Sequence, residues 1–226
     1  MGQNTAKMRC NSASFCCIYA TVAIEQRRYR PMGSLEMGSL NTVYGVSLAV
    51  NRADGIQSIL CSIVQNVAKE TRAKGCCLAL LTPDRRYLRH MACYGISDRY
   101  ITKGRISVDK SIAEALEGKP IAIFDATRDD RIQYPQKARE EDIASILCVP
   151  VMLRDEILGV MRVYTAEPRT FTDHDVYFVS VAANIGAKAL EDAVGADGCG
   201  DFDPDAFRRQ LVELEWGRWP AAGQCP

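Results

Sequence analysis

Histidine is scarce in this sequence, with only His90 and His174 in 226 residues. Two isolated imidazoles leave little material for general acid–base work or metal ligation. Charge of a dominant sign is also missing. The 28 Lys and Arg balance the 28 Asp and Glu, so the formal net charge is +0. That removes any global electrostatic basis for nucleic-acid or anionic-membrane binding. No apolar run approaches the roughly 20 residues that a membrane-spanning helix needs. The stretch 15–24 is only about ten residues long. Glu25, Arg27, Arg28 and Arg30 follow it, where a secretory signal has small residues before its cleavage site. No Cys-x-x-Cys spacing, nucleophile elbow or phosphate-binding loop occurs.

Cysteine, by contrast, is abundant, with ten residues. Cys61, Cys76, Cys77, Cys93 and Cys148 lie inside apolar runs, where the side chain acts as a small buried hydrophobe. Cys10, Cys16, Cys17, Cys199 and Cys225 lie towards the ends. This usage reads as reduced thiols in a reducing, cytoplasmic compartment rather than as a disulfide framework.

The periodicity is clearest at Ile56, Ile59, Leu60, Ile63, Val64 and Val67, one stripe of an amphipathic helix. Asp54 is its expected N-cap, and Lys74-Gly75 its expected end. A shorter helix is expected over 41–51. Two apolar runs, 76–81 and 87–94, flank the turn chemistry of Thr82-Pro83-Asp84-Arg85 and read as a β-hairpin. Ser97 can cap a short helix, and 105–108 a short strand. Ser111 can cap a helix that Gly118 ends. Strand 121–124 follows, then a polar segment with a short helix near 136–141. Segments 145–153 and 157–165 form a second hairpin. Thr172 or Asp173 caps a long helix to about Val194. Asp203-Pro204 opens a last helix with Phe207, Leu211 and Leu214 on its stripe. Two hairpins with helices at both ends specify an α+β fold. The expected organisation is a disordered leader over 1–36, a domain over 37–194, a linker over 195–203, an amphipathic helix over 204–216 and a flexible tail over 217–226.

Several segments, in order, resemble the GAF family over roughly two-thirds of the chain, from Leu40 to Asp192. They are Ala73-Lys74-Gly75, Tyr94-Gly95-Ile96-Ser97, Glu117-Gly118-Lys119-Pro120-Ile121, the aspartate-rich loop 125–131, Ser145-Ile146-Leu147-Cys148-Val149-Pro150-Val151, Ile157-Leu158-Gly159-Val160 and Phe171-Thr172-Asp173-His174-Asp175. The resemblance implies a PAS-related, six-stranded antiparallel sheet. Terminal helices cover one face, and a small-molecule pocket lies on the other, under the segments between about 96 and 145. It also implies a homodimer formed through those helices.

The family's chemistries fit poorly. No cysteine precedes a histidine, as bilin attachment requires. Phe171 and Asp175 match part of the cyclic-nucleotide pattern, but Val176 replaces its glutamate. The cysteine motifs of the branch that reduces free methionine sulfoxide are missing. A haem or iron site could use His90 with Cys93 or His174, although two stray histidines more often lie on a surface. The reading therefore names no catalytic residue, no metal ligand and no cofactor. Arg162 stands out because it sits in an apolar strand, in register with Leu158, Val160 and Tyr164. A cation there must be solvated, paired or facing an anion. The candidate ligand-lining set is Arg162, Tyr164, Tyr94, Tyr134, Cys148 and Asp125. The expected function is a non-enzymatic sensor for a small molecule, with output through a separate protein and with neither nucleic acid nor membrane as partner. The alternatives are a ligand-free dimerisation scaffold and a thiol redox sensor, because strands would bring Cys76, Cys77, Cys93 and Cys148 close.

Overall fold

A computed structural model describes residues 55–108, 114–194, 203–213 and 225. The chain divides into units 1–35 and 36–226, and all the described residues belong to the second. The expected leader, the helix over 41–51 and Asp54 lie outside the described residues, as does most of the expected linker and tail.

The first described helix, α1 (Ile56–Glu70), buries Leu60, Ile63, Val64 and Val67 as its stripe requires. It begins at Gly55, whose φ is 100°, with no side-chain cap. It also stops earlier than Lys74-Gly75. The Thr71 hydroxyl donates to the Val67 carbonyl at 2.7 Å, and Arg72 then takes a φ of 49° and turns the chain. Next come β1 (Gly75–Leu81), β2 (Tyr87–Tyr94), α2 (Asp98–Ile101), β3 (Ile106–Ser107) and a 3-10 turn (Ala115–Glu117). They are followed by β4 (Ile121–Ile123), α3 (Pro135–Glu140), β5 (Ser145–Leu153), β6 (Glu156–Thr165), α4 (Asp173–Ala193) and α5 (Pro204–Glu213).

Six strands form one sheet in the order β3-β2-β1-β6-β5-β4, and every pairing is antiparallel. The hairpins β1-β2 and β5-β6 are joined edge to edge by β1 and β6. The outer strands are very short, which limits the exposed edge. Pro150 fits because β4 pairs only with 146–148 of β5. Beyond Cys148 one side of β5 has no ladder to lose a donor from. Gly159 fits for a different reason: a Cβ there would lie 2.1 Å from the Ala79 carbonyl oxygen of β1. Only hydrogen can occupy that space.

Burial splits the side chains into two cores, one on each face. On one face α1 and α4 pack against Cys76, Leu78, Leu80, Leu147, Val149, Met161 and Val163. Helix α4 is started by a reciprocal capping box, in which Thr172 Oγ accepts from Asp175 N and Asp175 accepts from Thr172 N. Phe171 is buried in this core, so the residues matching the cyclic-nucleotide pattern pack and cap. The last helix docks here too, burying Phe207 and Leu211. Arg208, only 3% exposed, reaches Glu156 at 3.2 Å and Asp205 at 2.8 Å.

The absence of disulfides expected from sequence is corrected. Cys61 of α1 is bonded to Cys225, and Cys77 of β1 to Cys93 of β2. Cys76 and Cys148 are buried free thiols. Linear spacing could not reveal pairs separated by 164 and 16 residues, because antiparallel pairing and tail docking create them. Among the described residues, no helix is long and apolar enough to cross a membrane.

Candidate functional site

The second core lies on the sheet face away from α1 and α4. It is covered by the segments around α2, the 3-10 turn and α3, which supply Ile96, Tyr100, Ile101, Ala115, Ala138 and Ile143. The cover is tied across its width. Ser97 donates to Glu141 through both its backbone N–H, at 2.8 Å, and its hydroxyl. Arg99 pairs with Glu140 at 2.8 Å.

Beneath the cover, strand register builds one lateral row. Cys148 of β5 is opposite Arg162 of β6, Arg162 is opposite Cys77 of β1, and Cys77 is opposite Cys93 of β2. Four neighbouring strands thus place three sulfurs and one guanidinium side by side. Arg162 is only 7% exposed. Its charge persists at every physiological pH. The Cys148 thiol is pushed up by burial, and Arg162 beside it pulls in the opposite direction. Tyr164 shares the Arg162 face and packs edge-on against Tyr100, with ring centroids 5.9 Å apart. Burial raises the Tyr100 hydroxyl to about 12.

Two bulges decide which residues reach this face. In β6 the pairing jumps from Val151↔Gly159 to Met152↔Ile157, leaving Leu158 as the extra residue. Leu158 therefore joins the helix-side core rather than aligning with Val160, Arg162 and Tyr164, which corrects the strict alternation assumed from sequence. In β2 the pairing jumps from Leu78↔Ala92 to Ala79↔His90, leaving Met91 as the extra residue. Residues three apart on a regular strand lie on opposite faces. The Met91 bulge changes that parity and brings His90 to the side of Cys93, with Nδ1 3.5 Å from Sγ. The sequence offered His90 with Cys93 as a candidate haem or iron pair, and it is the bulge, not strict alternation, that puts them on one face.

His90 and Lys103 complete the cluster. Burial, then the charges of Lys103 and Arg162, push the imidazole down to about 3. The same causes in order, burial and then Arg162, lower Lys103 to about 7 against an opposing pull from Glu141. Lys103 Nζ donates to the Tyr100 carbonyl at 2.9 Å and sits 3.5 Å over the Tyr100 ring. His90 Nε2 is buried with no hydrogen-bond partner, and the Tyr164 hydroxyl is buried beside Arg162.

Of the residues proposed from sequence, Arg162, Tyr164 and Cys148 come together on this face. The other three lie elsewhere. Tyr94 packs against the helix-side core. Tyr134 donates to the Arg105 carbonyl at 2.9 Å, bracing the segment before β3. Asp125 accepts from Thr127 N at 2.9 Å and holds its own turn. It borders an open depression of about 310 Å³ with Thr127, Arg139 and Asp142, which contains no residue of the Arg162 row. His174 is exposed in the opening turn of α4.

A curled antiparallel sheet with helices on one face and an enclosed, partly polar core on the other defines a class of regulatory ligand-binding domain. The chain belongs to the GAF domain family, which matches residues 55–190. GAF domains are generally sensory or regulatory ligand-binding modules. The fold is similar to the GAF domain of a phosphoenolpyruvate-protein phosphotransferase from Coxiella burnetii, at 23% identity and a TM-score of 0.64, covering 72% of this chain and 99% of that one. The corresponding domain from Acinetobacter gives 19% identity and a TM-score of 0.60 over 73% and 99% of the chains. The free methionine-R-sulfoxide reductase of Neisseria meningitidis, solved with its substrate, gives 14% and 0.58 over 73% and 96%. At these identities the likeness establishes the fold. No curated protein matches the chain.

Proposed function

We propose that this GAF domain is a non-enzymatic sensor that receives a small acidic molecule on the sheet face centred on Arg162 and reports its presence through the terminal helices of a homodimer. The observation that carries the reading is the burial of a permanently charged guanidinium in mid-strand, beside Tyr100, Tyr164 and Cys148. Such a group stabilises a carboxylate or phosphate well in a site shielded from water. The route to the helices is short. Leu78 of β1 touches α4 at Gly186, where an added Cβ would lie 3.1 Å from its Cδ1. Arg154, in the β5-β6 turn, pairs with the buried Glu191 of α4 at 2.8 Å. The output passes to a separate protein in the cytoplasm.

The test is native mass spectrometry of protein purified from its own host, followed by thermal shift with a panel of small acids. A retained anion that is lost in Arg162→Ala supports the reading. Unchanged affinity in that variant sinks it, and a clean dimer with no ligand and no shift favours a ligand-free scaffold. A second reading, a thiol redox sensor, is favoured by the direct pairing of Cys77 with Cys93 in the same row. Differential thiol labelling across a range of glutathione potentials tests it. A pair that stays oxidised, or stays reduced, throughout the physiological range removes that reading.

A further inference from the structure

We infer that the dithiol form of this domain holds a zinc ion on Cys77, His90 and Cys93. Among the described residues these three side chains are the one group of metal-ligating type that converges, with ligand atoms all within 4.8 Å of one another. The convergence is built by the fold. Cys77 and Cys93 are opposite each other with Cα atoms 4.2 Å apart. The Met91 bulge then turns His90 onto their face. Bulges recur beside functional sites because they re-aim a side chain in this way. A tetrahedral zinc with bonds of about 2.3 Å to sulfur and about 2.0–2.1 Å to imidazole separates those two ligand atoms by roughly 3.5 Å. The observed separation between His90 Nδ1 and Cys93 Sγ is 3.5 Å. A second observation is the other imidazole nitrogen, Nε2, which is buried and without a partner. In the disulfide form Nδ1 meets the Cys93 sulfur, a weak acceptor.

The donor set selects the metal. Two thiolates and an imidazole suit zinc and offer nothing to magnesium or calcium. Charge points the same way. A bare dication beside Arg162 and Lys103 would be repelled, whereas two thiolates cancel its charge. Three protein ligands leave a fourth position for water or a small ligand.

The same two sulfurs cannot bond to each other and to the metal, so occupancy is redox-gated. A dithiol reductant gives two electrons and two protons to the Cys77–Cys93 bond and becomes a disulfide itself. Zinc then displaces the two thiol protons. In reverse, hydrogen peroxide takes two electrons from the zinc-bound thiolates and, with two protons, leaves as two waters. The sulfurs join and zinc departs. This site does not depend on an acidic ligand at Arg162.

The experiment uses the full chain with Cys10, Cys16, Cys17 and Cys199 replaced by Ser, reduced by a phosphine and stripped with a chelator. Zinc is titrated against a chromophoric competitor, and Co2+ serves as the spectroscopic probe. The expected result is one metal per chain, with a thiolate-to-cobalt band and the strong visible absorption of tetrahedral Co2+. Cys77→Ser and Cys93→Ser should each weaken binding at least tenfold, and His90→Gln by roughly 10-fold or more, while Cys76→Ser, on the opposite face, leaves it unchanged. Peroxide should release the zinc. His90→Gln changes a partly exposed side chain and guards against misfolded cysteine variants. Absence of stoichiometric zinc in the reduced chain, weak octahedral cobalt spectra, or affinity indifferent to both Cys77→Ser and His90→Gln would each overturn the assignment.

Discussion

Both faces of the sheet carry a buried core, and the two are differently built. The face under α1 and α4 is lined by Leu, Ile, Val, Met and Ala, with Cys76 as its one strand cysteine. The opposite face carries Arg162, His90, Tyr164 and three cysteines among its aliphatic residues. Apolar burial contributes about 25 cal/mol per Å² wherever it occurs. A buried guanidinium carries a desolvation cost that an aliphatic side chain in its place does not. The helix side therefore holds the fold together, and the other side gives up some stability to keep polar groups in place. That is the arrangement expected of a scaffold facing a site.

The strongest challenge to this contrast is the seam that both faces share. Gly159→Ala places a methyl group inside the β1 backbone, so β1 and β6 must separate. The expected loss is roughly 4 kcal/mol or more, or failure to recover folded protein, read by urea denaturation. The next test compares the faces directly. Leu78→Ala, on the helix face, should cost about 2–5 kcal/mol. Arg162→Met, on the other face and also buried, should change stability by less than about 1 kcal/mol or increase it. Equal losses in the two variants would mean that the guanidinium is a structural member of its core.

A smaller effect concerns pH. Lys103 titrates at about 7 in the folded chain, against an ordinary value of 10.5. Between those values the unfolded chain binds the extra proton, so stability rises with pH across that window. Below pH 7 both states are protonated and the full penalty remains. Lys103→Met should remove this part of the rise between pH 7 and 10, measured as the difference in urea midpoint from the parent at each pH. A matching slope in the variant would show that Lys103 is solvated. The smallest expected change is on the helix side: Thr172→Ala removes the capping hydroxyl of α4 and should cost about 1 kcal/mol in the same assay.

The fold's outline was legible because its signals are local. The stripe from Ile56 to Val67 and the paired runs on either side of Thr82-Pro83 each declare a period within a dozen residues. Segment 145–153 emerged as β5 with the bounds expected. Arg162 was legible as a candidate because a cation in an apolar strand breaks a local rule. Tyr94 and Asp125 were less tractable, since facing and turn geometry depend on bulges and on loops that periodicity does not fix. His90 and Cys93 were legible together as a candidate pair, but their common facing was not: one inserted residue, Met91, reverses the parity on which strand reasoning relies.

Among the described residues, the sequence by itself placed the main helices and strands, and showed that a charged residue interrupts an apolar strand. Those properties follow from side-chain spacing along the chain. The tertiary structure alone decided that Cys148, Arg162, Cys77 and Cys93 stand in one row, and that His90 joins it. Register between strands distant in sequence is set by how two hairpins meet edge to edge and where their bulges fall, and no local pattern encodes that meeting.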